Sequence, residues 1–105
     1  MPRSILAHRP DANHAEIRDA LRDIPGMEVE DTSAIGMSVD LLVVWRGVTG
    51  WVEIKNPDKA TKPQKGDPLM MLTDSERKLR ERVITAGGLH ITTFDVESVL
   101  EQWPE

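Results

Sequence analysis

The chain has no cysteine, so neither a disulfide nor a thiolate metal centre is available to it. It has no apolar stretch near the roughly 20 residues that a membrane-spanning helix needs. Its first ten residues lack the sustained apolar segment of a secretory signal, and cytoplasmic residence with no membrane partner is therefore expected. There is no internal repeat, no GxxxxGK[ST] phosphate loop and no helix-turn-helix signature. His8, His14 and His90 do not form a spaced ligand set and read as surface or strand residues. Basic residues are also in deficit: 13 Lys and Arg stand against 18 Asp and Glu, a net charge of −5, which at face value argues against a nucleic-acid partner. What remains is a chain of 105 residues, 39% hydrophobic and 30% charged. That composition suits one globular domain over residues 1–105, small but able to bury a core.

The charge is unevenly distributed. Between Lys55 and Arg82 eight basic residues face five acidic ones, a local excess of three, while the rest of the chain carries −8. A basic stretch inside an acidic protein can still contact phosphates, and Lys65, Arg77 and Lys78 are its candidate contacts.

Hydrophobic periodicity orders the elements. Asp11 or Asn13 can cap a helix over about 12–24, with Ile17, Ala20, Leu21 and Ile24 inward and Pro25-Gly26 as its stop. Arg18, Asp19, Arg22 and Asp23 look outward. Met27 to Glu30 alternates as a short edge strand. Val39 to Trp45 is almost unbroken apolar, as a strand covered on both faces should be. Arg46 to Gly50 supplies a turn into Trp51-Val52-Glu53-Ile54-Lys55. Asn56 to Leu72 is punctuated by prolines and reads as a long loop, a length usually reserved for function. Thr73-Asp74-Ser75-Glu76 is a capping box, Gly87-Gly88 ends the helix it opens, and Leu89 to Phe94 is a last strand. Asp95 caps a short final helix. The expected fold is α/β, a small mixed sheet flanked by helices.

Two charged groups interrupt the apolar strands. Glu53 and Lys55 are two apart, so they share one face, and burying them is costly unless they are paired or bind something. Whether Asp40 joins them depends on the hairpin. A two-residue turn at Arg46-Gly47 sets Asp40 directly opposite Glu53, and one at Gly47-Val48 sets it opposite Lys55. A three-residue loop turns Asp40 to the other face, and a wide loop separates it from Glu53 by about 13 Å. Glycine at 47 favours the tight turns. Brought together, Asp40 and Glu53 can hold Mg²⁺, which usually takes one or two carboxylates plus water and phosphate oxygens, with the Ile54 carbonyl as a further ligand. Lys55 then orients or deprotonates the attacking water. Glu16, on the first helix, can reach the same rim.

Asp40 followed by Glu53-Ile54-Lys55 resembles the signature of the PD-(D/E)xK nuclease superfamily. Chain length, spacing and an acidic residue on the first helix are most similar to small Holliday-junction resolvases and VRR-NUC nucleases. The resemblance covers roughly Asn13 to Phe94. It implies the α-β-β-β-α-β core of the restriction-endonuclease-like fold and a single nuclease domain. It further implies Mg²⁺ or Mn²⁺ as cofactor, DNA as substrate and a homodimer. Asp40, Glu53 and Lys55 match the catalytic positions, and Glu16 matches the helical glutamate. Val39 stands where the name has proline, and the downstream glutamine of many members has no counterpart, the second helix carrying Glu76-Arg77-Lys78. A silent nuclease fold used for DNA binding or protein interaction is the alternative function. A structural Glu53–Lys55 pair in a regulatory α/β protein is a third.

Overall fold

The computed structural model describes residues 12–105, so His8 and a cap at Asp11 lie outside the described residues. Helix α1 (Ala12–Arg22) buries His14, Ile17 and Leu21, spaced i, i+3, i+7 along one face. The buried stripe therefore runs through His14, where Ala20 was expected, and Ala20 itself is exposed. Strand β1 (Glu28–Asp31) is a short edge strand, as the alternation implied. A 3₁₀ turn, Thr32–Ile35, clamps the start of the next strand. Its Thr32 and Ser33 amides both donate to the Asp40 carbonyl, and Thr32 Oγ1 donates to the Val39 carbonyl at 2.6 Å.

Strands β2 (Leu41–Trp45) and β3 (Val48–Ile54) form an antiparallel hairpin in which Trp45 pairs with Val48 and Leu41 with Val52. The turn is thus the two residues Arg46 and Gly47, with φ of 53° and 79°. Two successive left-handed residues match the twist of the flanking strands. Arg46 occupies this unusual position with its guanidinium 4.0 Å above the Trp45 ring. Val48, Thr49 and Gly50, expected in the turn, are instead the first residues of β3. Gly50 serves close packing here, because a Cβ would lie 2.9 Å from both Leu89 and the Trp103 ring.

Helix α2 (Asp74–Thr85) crosses over to β4 (Leu89–Thr93), which runs parallel to β3, and α3 (Val96–Gln102) completes the chain. The sheet is four-stranded and mixed, in the order β1-β2-β3-β4. Both α2 signals operate as expected: Thr73 and Glu76 close a capping box, and Gly88 and Gly87 donate to the Val83 and Ile84 carbonyls in a Schellman stop. The main core gathers Ile17, Leu21, Leu41, Val43, Val52, Ile54, Ile91, Val99 and Trp103, so α1 and α3 cover one face of the sheet. Residues 56–72 are not a structureless loop. Three 3₁₀ turns, Pro57–Lys59, Lys62–Gln64 and Pro68–Met71, organise them, with Asn56 and Asp67 side chains capping two of the turns.

Candidate active site

One more step along the hairpin register beyond Leu41–Val52 brings Asp40 opposite Glu53. Asp40 is anchored at both ends, its carbonyl by the 3₁₀ turn and its Oδ2 by the Ile54 amide at 2.8 Å. Glu53 is only 6% exposed, and its carboxyl lies within hydrogen-bonding reach of Asp40. Lys55 Nζ is 3.6 Å from Glu53 Oε2 and 2.7 Å from Glu76 Oε1. The Ile54 side chain points the opposite way, into the core, and its main chain lies against Asp40. The hairpin thus joins Asp40, Glu53 and Lys55, and α2 adds Glu76.

Three carboxyls around one ammonium set the electrostatics. Burial raises Glu53 to about 9, aided by repulsion from Asp40 and Glu76 and only partly opposed by Lys55. Asp40 is also raised, again by burial first, against the hydrogen bond from the Ile54 amide. Burial disfavours ionised Glu76 too, but hydrogen bonds from Lys55 and from the Thr73 amide outweigh it and hold Glu76 below its usual value. At neutral pH this site keeps a proton on the Asp40–Glu53 pair, a proton that a cation could replace.

The first helix contributes something the sequence did not suggest. Buried His14 places Nε2 3.2 Å from Asp31 Oδ2, and its Nδ1 is 3.8 Å from Asp40 Oδ1. Arg18, expected to point outward, turns onto Asp31 at 2.9 Å, and Ser33 Oγ donates to the same carboxylate at 2.7 Å. Burial of Asp31 is overcome by these bonds from Ser33, Arg18 and His14, which lower it to about 2. Asn13 donates to the Lys55 carbonyl at 2.8 Å. Glu16 does not join the site. It lies on the exposed side of α1 with Ala20, away from the His14–Ile17–Leu21 line. The signal that could have singled out His14 was its i, i+3, i+7 spacing with Ile17 and Leu21.

The candidate phosphate contacts lie on a 3₁₀ turn and on α2. Lys65 is exposed at the end of the second 3₁₀ turn. Lys78 is exposed on α2, beside a surface hollow of about 520 Å³ that it lines with Glu81, Arg82, Thr85 and Ala86. Arg77 is spent largely within its own helix end, on Asp74 and the Leu72 carbonyl at 3.2 Å each. His90, on β4, is buried, and burial first, with nearby Arg80 adding to it, lowers its pKa to about 4.

Among the described residues no three His, Asp or Glu side chains converge as a ready metal cage. Asp40 and Glu53 are the carboxyl pair that could hold a cation between them. Comparisons of the chain with family models, with curated proteins and with solved structures find no match. What this small mixed α/β domain offers is a carboxyl pair with an ammonium beside it, at one end of its two central strands.

Proposed function

We propose that the protein is a metal-dependent nuclease that hydrolyses DNA phosphodiester bonds on a restriction-endonuclease-like α-β-β-β-α-β core. The observation that carries this reading is the burial of Glu53 against Asp40 with Lys55 Nζ 3.6 Å from Glu53. Two mutually repelling oxygen donors held in a fixed hairpin register suit Mg²⁺, which needs few protein carboxylates. Asp40 and Glu53 would hold the ion, beside the Ile54 main chain, with Mn²⁺ able to substitute. When bound, the cation acidifies a water and offsets charge on the phosphate oxygens. Lys55 is a three-donor point charge. Its role is to orient the attacking water and to face the negative charge that builds on the phosphate. His14, bonded to Asp31, stands with Nδ1 3.8 Å from Asp40 Oδ1, and the Ile54 amide fixes Asp40 Oδ2 at 2.8 Å. Lys65 and Lys78, with whatever Arg77 can spare, supply phosphate contacts. A homodimer is part of the proposal, because one domain of this size addresses one strand at a time and paired incision of branched DNA needs two.

The test is cleavage of a labelled four-way junction beside linear duplex and single-stranded DNA, in Mg²⁺, Mn²⁺ or EDTA, with wild type and Lys55→Ala. Paired, metal-dependent incisions lost in Lys55→Ala support a resolvase-like enzyme. Metal-dependent cutting of the linear DNAs instead supports a nuclease of different substrate structure. No cutting with either metal refutes catalysis and leaves the alternative of a DNA-binding or protein-interaction module.

A further inference from the structure

Lys55 is a long, flexible side chain on which the chemistry depends, and its main chain is already fixed. Its amide donates to the Thr93 carbonyl at 2.9 Å and its carbonyl accepts from Asn13 Nδ2 at 2.8 Å. Only the four-carbon arm can move, and its tip has two carboxylates to choose between: Glu53 at 3.6 Å and Glu76 at 2.7 Å. The shorter contact is a full charge-assisted hydrogen bond, the longer one is not. Glu76 cannot follow the lysine elsewhere. Its Oε1 also accepts from the Thr73 amide at 2.8 Å, while its own amide donates to Thr73 Oγ1 at 3.2 Å. Buried Leu72 and Leu79 pin the chain on either side of this capping box.

We infer that Glu76 is the positioning residue of the site, holding the Lys55 ammonium beside Glu53 but off it, so that the Asp40–Glu53 oxygens stay open to a cation. The inference rests on the nuclease reading. A capping box at Thr73–Glu76 needs only an acceptor at residue 76, which glutamine supplies. The negative charge is surplus to capping, and Lys55 is what it meets. Without that charge the ammonium settles on Glu53 and competes with the metal.

The experiment compares wild type, Glu76→Gln and Thr73→Ala for thermal stability, Mn²⁺ affinity by calorimetry, and kcat and KM for DNA cleavage. Glu76→Gln is expected to keep its melting temperature, to bind Mn²⁺ several-fold more weakly and to lose about 10- to 100-fold in kcat through a misplaced Lys55, with KM little changed. Thr73→Ala, which keeps Glu76 and the residue 73 amide, is expected to melt earlier through a lost cap and to retain kcat. Activity that falls in step with melting temperature in both variants overturns the inference, since Glu76 would then act only as a cap. So does a Glu76→Gln enzyme that binds Mn²⁺ and cuts like wild type, while leaving the nuclease reading intact. A wild type that neither binds Mn²⁺ nor cuts overturns both.

Discussion

Replacing Glu53 by glutamine should stabilise the metal-free protein at neutral pH while abolishing the proposed activity. The sign follows from linkage. The folded carboxyl titrates at about 9 against an ordinary value of 4.5, so between those values the folded state holds a proton that the unfolded chain has released. Stability then falls as pH rises from 4.5 towards 9. By pH 7 the chain has travelled about 2.5 pH units into that window, at about 1.4 kcal/mol each, a deficit of about 3 kcal/mol. Glu53 is 6% exposed, so solvent screening does little to reduce it. Glutamine has no proton to lose and recovers the deficit, a rise on the order of 10 °C in melting temperature for a domain of this size. The assay is thermal unfolding of both proteins by circular dichroism at pH 4.5, 7 and 9 in EDTA. The two curves should coincide at pH 4.5 and separate progressively above it. On the proposed metal role, saturating Mn²⁺ should narrow or reverse the gap, since wild type alone would gain binding free energy, about 2.7 kcal/mol at a hundredfold excess over Kd. A separation independent of pH, or a glutamine variant that melts earlier at pH 7, would refute the reasoning and favour a structural Glu53–Lys55 pair.

Two more predictions concern parts of the fold that no cleavage assay reads. His90 is depressed from 6.5 to about 4 by burial and by Arg80, so unfolding takes up a proton in that window and stability is lost on acidification from 6.5 to 4. His90→Leu should remove about 2–3 kcal/mol of that acid sensitivity, seen as a flatter plot of melting temperature against pH than wild type gives. A plot of unchanged slope would mean that His90 is not held neutral. Gly50→Ala puts a methyl group 2.9 Å from Leu89 and from the Trp103 ring and should cost about 1–3 kcal/mol. Urea unfolding followed by tryptophan fluorescence measures it, and a midpoint equal to wild type would show that Trp103 moves aside freely.

Element type was largely legible in the sequence because local rules and tertiary packing agree there. The alternation of Met27–Glu30, the apolar run into Trp45, the Thr73–Glu76 box and the Gly87-Gly88 stop each encode one local preference, and each is realised. The choice of hairpin register was narrowed to a few alternatives by glycine at 47. It was decided by the left-handed pair Arg46-Gly47, and a one-residue slip would have turned Asp40 to the other face. The loop over 56–72 was legible from its prolines, but its 3₁₀ turns were not, because turns capped by Asn56 and Asp67 leave no hydrophobic period to detect.

The sequence alone, then, determined that Glu53 and Lys55 share a face, since strand geometry has period two. It also showed that a tight turn would bring Asp40 to them, without fixing that turn. Only the tertiary structure decided which neighbours those groups have. The rotation of α1 about its axis delivers His14 and Asn13 and turns Glu16 to solvent. That angle is set by how Ile17 and Leu21 pack on the sheet, a sum over contacts from four strands and α3. The same is true of Glu76, visible from the start as a helix cap. Its meeting with Lys55 spans 21 residues, and is made by the crossover that lays α2 beside β4, a long-range contact that no local pattern encodes.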